Sequence, residues 1–133
     1  MFNKKHIDLN YGLKKEIEFL PVIKTFFNDP TIYKLDNNNE FDFKGDNKFI
    51  ELKSRRNNYK KYPTTMVGLN KFEKASKLLE EVYFMFSFDD GLYYYKYEKA
   101  DQFEIKQGGR FDRGAREIKD YVFIPVENLL KII

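Results

Sequence analysis

A chain of 133 residues fits one domain, read as spanning 1–133, and its 42% apolar content with 14 Phe and 10 Tyr is enough to build a core. With no Cys, disulfides, zinc ribbons, iron–sulfur ligation and thiol nucleophiles are excluded. The single histidine, His6, excludes a multi-histidine metal site, so a metal would sit on oxygen ligands, which favours Mg²⁺, Mn²⁺ or Ca²⁺. The net charge is only +3, but residues 53–77 hold Lys53, Arg55, Arg56, Lys60, Lys61, Lys71, Lys74 and Lys77 against one acid, Glu73, a concentration that suits a polyanionic partner or a solvated Lys-rich face.

The N-terminal residues turn polar at once, and no apolar run approaches the roughly 18 residues of a membrane span. A soluble intracellular protein with no membrane partner is expected. Residues 11–27 form a helix by the spacing of Leu13, Ile17, Leu20, Ile23 and Phe27. Pro21 predicts a bend or a break in it, and Asn28-Asp29-Pro30 stops it. Glu16 falls inside the apolar arc and Glu18 on the opposite side. An acid on a buried face needs a partner or a cation, so Glu16 is either a site carboxylate or half of a salt bridge.

Three short strands follow: Thr31–Asp36, Glu40–Lys44 and Lys48–Ser54. In the second, Phe41 and Phe43 share one face while Glu40, Asp42 and Lys44 share the other. In the third, Ile50 and Leu52 oppose Phe49, Glu51 and Lys53. A two-residue turn at Asp46-Asn47 pairs Gly45 with Lys48, Phe43 with Ile50, and Asp42 with Glu51. Facing carboxylates repel, a defect readily explained by a divalent cation between them. Lys53, two residues beyond Glu51 on the same face, is placed to hold a water or to offset phosphate charge. Acid-x-Lys alone carries no information, since it begins at Asp42, Asp46, Glu51, Glu104 and Glu117. The signal is its position at the end of an alternating strand, opposite an acid and ahead of a basic loop.

That loop, 55–69, carries Arg55, Arg56, Lys60 and Lys61 interleaved with Tyr59 and Tyr62. These suit phosphate pairing and base stacking, and Thr64 and Thr65 add hydroxyl donors. Asn70 and Glu73 read as a capping box opening a helix over 70–81. Val82–Phe88 and Leu92–Tyr97 form a hairpin about Asp89-Asp90-Gly91, with Tyr93–Tyr95 as packing. Gln107–Arg116, with Arg110, Arg113 and Arg116, is a loop suited to clamping a backbone or to a contact between two copies. Tyr121–Ile124 is a strand, and Pro125 opens a closing helix to about Lys131.

Helix, three strands, helix, strands, with Asp42 and then Glu51-Leu52-Lys53, resembles the PD-(D/E)XK nuclease superfamily over roughly residues 11–88. The resemblance implies an α/β, restriction-endonuclease-like αβββαβ core with a mixed central sheet flanked by helices. It implies Mg²⁺, with Mn²⁺ substituting, on Asp42, Glu51 and the Leu52 carbonyl. Lys53 would assist the attacking water, Glu16 would be the helical acid, and Lys71 fits a basic position that some members carry on the second helix. The motif's proline is Phe41 here. Size and layout also resemble small phage and archaeal Holliday-junction resolvases. The expected activity is Mg²⁺-dependent DNA endonuclease, structure-selective for branched DNA, acting as a homodimer. The alternative is a non-catalytic nucleic-acid-binding or assembly domain of the same fold.

Overall fold

The computed structural model describes the backbone of residues 4–108 and 119–133, and the side chains of residues 10–108 and 119–133. Helix α1 (Lys4–Phe27) is uninterrupted at Pro21, so the expected break does not occur. The carbonyl that Pro21 cannot satisfy belongs to Ile17, which is 70% exposed, so water reaches that turn. Ile17 therefore leaves the expected apolar stripe. The buried face runs instead through Phe19 and Ile23. Asn28 ends the helix in the left-handed region at φ 50°. Its N–H donates to the Thr25 carbonyl, and that of Asp29 to the Lys24 carbonyl, the paired bonds of a Schellman stop.

Strands β1 (Tyr33–Lys34), β2 (Phe43–Gly45) and β3 (Lys48–Ser54) follow, the first two shorter than the sequence suggests. Asn47, at φ 56°, makes the tight turn between β2 and β3. The pairs Gly45–Lys48, Lys44–Phe49 and Phe43–Ile50 form as expected. Gly45 is required there: a Cβ would lie 2.7 Å from Ile32 and 2.9 Å from the Asp29 carboxylate.

The stretch read as a basic loop contains strand β4 (Thr64–Gly68). Helix α2 (Leu69–Ser76) follows with Gly68 at its N-cap and no side-chain cap, so neither the Asn70 capping box nor a helix to residue 81 forms. The β5 (Glu81–Phe88) and β6 (Gly91–Lys96) hairpin turns at Asp89-Asp90, with Phe88 opposite Gly91. Strands β7 (Glu104–Gly108) and β8 (Lys119–Pro125) pair with each other. In place of a closing helix there is one 3-10 turn, Val126–Asn128, and a last short strand β9 (Leu130–Lys131) on the edge of β6.

The main sheet has the order β1-β2-β3-β5-β6-β9, and a smaller sheet the order β4-β8-β7. β3 and β5 are parallel, joined by the β4–α2 crossover, while the other pairs are antiparallel. This is the αβββαβ core with a mixed sheet. On one face α1 packs Phe19 and Ile23 against Phe43, Ile50, Leu52, Met85 and Leu92. On the other, α2 and the small sheet enclose Phe84, Phe86, Tyr93 and Tyr95. Phe72 of α2 stacks on Phe84 at 5.1 Å. Tyr93 and Tyr95 are core residues, as the sequence suggests.

Because α1 continues through an exposed proline, Pro21→Ala is expected to raise stability by up to about 3 kcal/mol, read by urea unfolding. A loss of stability would show that the packing of α1 depends on the ring.

Candidate active site

The site forms where β2 stops. β2 covers β3 only as far as Ile50, so the edge of β3 beyond it has no strand partner on that side. Asp42, just ahead of β2, fills part of the gap. Its main-chain N–H donates to the Ile50 carbonyl at 3.0 Å, while its side-chain Oδ2 accepts the Leu52 N–H at 2.7 Å. The carboxylate thus replaces the next rung of the ladder. This corrects the expected direct Asp42–Glu51 strand pair: the chain is irregular at Asp42, as at a bulge. Phe41 and Phe43 consequently lie on opposite faces, Phe41 with Phe49 (5.3 Å) and Phe43 beneath α1. The Leu52 carbonyl leaves the same edge of β3 as its N–H, beside the Asp42 carboxylate.

Glu51 projects from the middle of β3 and is 4% exposed. Lys53 Nζ is 3.7 Å from its Oε1, and Lys71 Nζ of α2 is 3.3 Å from its Oε2. Oε2 is buried without a hydrogen bond, since the Lys71 ammonium is within ion-pair distance but not in bonding geometry. From the other side of the sheet comes Glu16, whose carboxylate is 3.4 Å from Lys34 of β1. Glu18 is turned away, pairing with Lys15 at the surface. Glu16 is thus held in an ion pair, and its charge is felt by Asp42 and feels that of Glu51. Burial raises its pKa, Lys34 opposes this, and Glu51 adds a further upward push.

Asp42 feels the cluster most. Burial, then the charges of Glu51 and Glu16, push its carboxyl from the ordinary 3.8 up to about 8, against the opposing Leu52 N–H and Lys53. A divalent cation would remove that penalty. The donors fit one: an unbonded buried oxygen on Glu51, a destabilised carboxylate on Asp42 and the Leu52 carbonyl on the same strand edge, all hard oxygen ligands. Among the described residues no three acidic or imidazole groups are close enough to form a metal shell by themselves, so carbonyl and water oxygens would complete it.

The expected nucleic-acid contacts divide in two. Arg55 is turned inward: its guanidinium donates to Thr65 Oγ1 at 3.2 Å and to the Met66 carbonyl at 2.6 Å, and burial lowers its pKa to about 10, leaving it cationic. Thr65 is buried, and both threonines lie in β4 opposite β8. Tyr59 stacks face to face on Tyr93 at 4.1 Å and donates its hydroxyl to the Val126 carbonyl, so it packs the fold. Arg56, over the Tyr11 ring at 4.4 Å, and Lys60 and Lys61 stay on the surface. They line a cavity of about 750 Å³ with Asn57, Asn58, Asp89 and Asp90. Arg110, Arg113 and Arg116 lie outside the described residues. Sequence reading missed Lys34, whose role depends on a contact between β1 and α1 that no local spacing signals.

An α1–β1–β2–β3–α2–β5 core carrying Asp42, Glu51 and Lys53 beside an open strand edge defines a PD-(D/E)XK nuclease fold. A family described as "Phage putative PDDEXK endonuclease" matches residues 10–132, and the chain belongs to that family. No protein of curated function and no solved structure matches the chain. Among the described residues no helix is long and apolar enough to cross a membrane.

The raised pKa of Asp42 carries a sign. The folded state holds this proton more tightly than the unfolded chain, so the group's contribution to stability is complete below its ordinary 3.8 and is lost as pH rises through about 8. Glu16 acts in the same direction. Metal-free protein is expected to lose several degrees of melting temperature between these limits, and Asp42→Asn, which still accepts the Leu52 N–H, should flatten the slope. An equally steep profile in the variant would refute the assignment.

Proposed function

We propose that this protein is a Mg²⁺-dependent endonuclease that hydrolyses phosphodiester bonds in DNA, with Mn²⁺ able to substitute. The observation that carries this reading is the Asp42 carboxylate bonded to the uncovered edge of β3, the strand that bears Glu51, with burial and the charges of Glu51 and Glu16 raising its pKa to about 8. Asp42, Glu51 and the Leu52 carbonyl would hold the cation. When bound, the cation polarises the phosphate and makes water more acidic. Lys53 is 35% exposed and borders Glu51, so its ammonium can orient a water or neutralise phosphate charge from the solvent side. Glu16, fixed by Lys34, can orient a water or accept its proton, since burial and the charge of Glu51 make it more basic than an ordinary glutamate.

Arg56, Lys60, Lys61 and Tyr62 would hold the DNA backbone beside this centre, with Arg113 and Arg116 as further candidates. Selectivity for branched DNA and homodimerisation belong to the same proposal, as does an intracellular location, in the host cell if the protein is viral. Family membership supports the endonuclease activity that these finer points presuppose.

Cleavage of four-way junctions, flaps, duplex and single strands should depend on Mg²⁺ and stop in EDTA. Glu51→Gln and Lys53→Met should each lower it on the order of 10²-fold or more while unfolding transitions stay close to wild type. Equal Mg²⁺-dependent cleavage by wild type and both variants would overturn the reading. Junctions and flaps should be cut faster than linear duplex; an equal rate on all four would remove the structure-selective part alone.

A further inference from the structure

Lys71 of α2 makes three contacts that reach across to the strands of the site. Its ammonium is 3.3 Å from the buried Oε2 of Glu51, donates to the Glu40 carbonyl and stands over the Phe41 ring at 5.6 Å. Glu40 and Phe41 are the two residues ahead of Asp42. One side chain therefore ties the strand bearing Glu51 to the segment bearing Asp42. β3 ends at Ser54 and α2 begins at Leu69, with β4 between them, so the tie joins elements that are not neighbours in the chain. Lys74, one turn on, grips the same segment only from outside, at the Glu40 carboxylate (3.3 Å).

The ammonium's hold on Glu51 is incomplete. Oε2 lies within ion-pair distance yet receives no hydrogen bond, and it is the oxygen a cation would take. We propose that Lys71 is a positioning residue that keeps the cation's place: in the metal-free protein its ammonium neutralises Glu51 and keeps the Asp42 segment on β3, and it must give up Glu51 when a divalent cation arrives. This rests on the reading above that Glu51 is a ligand. Two cations cannot share one buried carboxylate oxygen without repulsion. Lys71 and Mg²⁺ therefore compete for it, and the released ammonium stays anchored at the Glu40 carbonyl.

The competition is measured without substrate, by calorimetric titration of Mg²⁺ into the full chain. Lys71→Met keeps an unbranched side chain of similar length and removes the competing charge. It is expected to tighten Mg²⁺ binding by about fivefold, the worth of one partly exposed ion pair. Lys71→Arg, which keeps the charge, should bind Mg²⁺ as wild type does, and so should Lys74→Met, which touches only the Glu40 carboxylate. Thermal unfolding of each variant reports its fold, and Lys71→Gln replaces the methionine variant if that one does not fold. Binding that is unchanged or weaker in the folded Lys71→Met or Lys71→Gln protein overturns the proposal while leaving the nuclease reading intact. A wild-type chain that binds no divalent cation at all overturns both.

Discussion

The hydrogen bond from the Leu52 main chain to the Asp42 carboxylate is the contact on which the site depends. β2 is only three residues long, so β3 runs past its partner and presents unpaired main-chain groups. A sheet edge left in that state is normally covered or paired. Here one rung of the ladder is supplied by a side chain, at 2.7 Å. The arrangement satisfies the backbone and brings a carboxylate to the strand that carries Glu51. It is costly, because that carboxylate is buried beside two others, and the cost is visible in the upward shift of Asp42.

Around this point the fold acts as a holder of charges. α1 delivers Glu16 from one face of the sheet, and α2 delivers Lys71 to Glu51 at the other side of the strand. β1 supplies Lys34 to Glu16, and Leu35, just past its end, gives an N–H to the Asp42 carbonyl at 2.8 Å. Each buried carboxylate is met by an ammonium or a main-chain N–H from a different element. Such a cluster is balanced but not neutralised in place: Glu51 Oε2 has no hydrogen bond and Asp42 holds its proton to about pH 8. Groups under that kind of electrostatic load are concentrated at functional sites. The two aromatic cores beneath and above the sheet make the load tolerable by fixing the elements that bear it.

The basic segment after β3 shows how charge counts mislead without a fold. Of its early cations, Arg55 is spent on β4, bonded to Thr65 and Met66, where it ties the crossover to the sheet. Tyr59 is likewise spent on Tyr93 and Val126. What is left on the surface is a narrower stripe, Arg56, Lys60 and Lys61, running toward the β5–β6 turn. A polyanion would meet a directed edge rather than a broad basic face.

Local chemistry was legible in the chain itself. The Asn28 stop, the Asp46-Asn47 turn with its three-pair register, the alternation of β3 and the Asp89-Asp90 hairpin all follow from short-range rules, because backbone geometry at those positions has few solutions. Asp42, Glu51, Lys53 and Glu16 were found as candidates from position alone. The tertiary structure decided what those rules do not reach. It placed Phe41 and Phe43 on opposite faces, since a main-chain irregularity shifts alternation by one residue without changing the sequence pattern. It turned Thr64–Gly68 and Leu130–Lys131 into strands, because each gains its hydrogen bonds only from a distant partner, β8 and β6. It also kept Pro21 inside one helix, where packing of Phe19 and Ile23 outweighs a single lost bond on the wet side. Sequence spacing encodes what neighbours along the chain must do; which charges meet across the sheet is set by the packing of elements far apart in it.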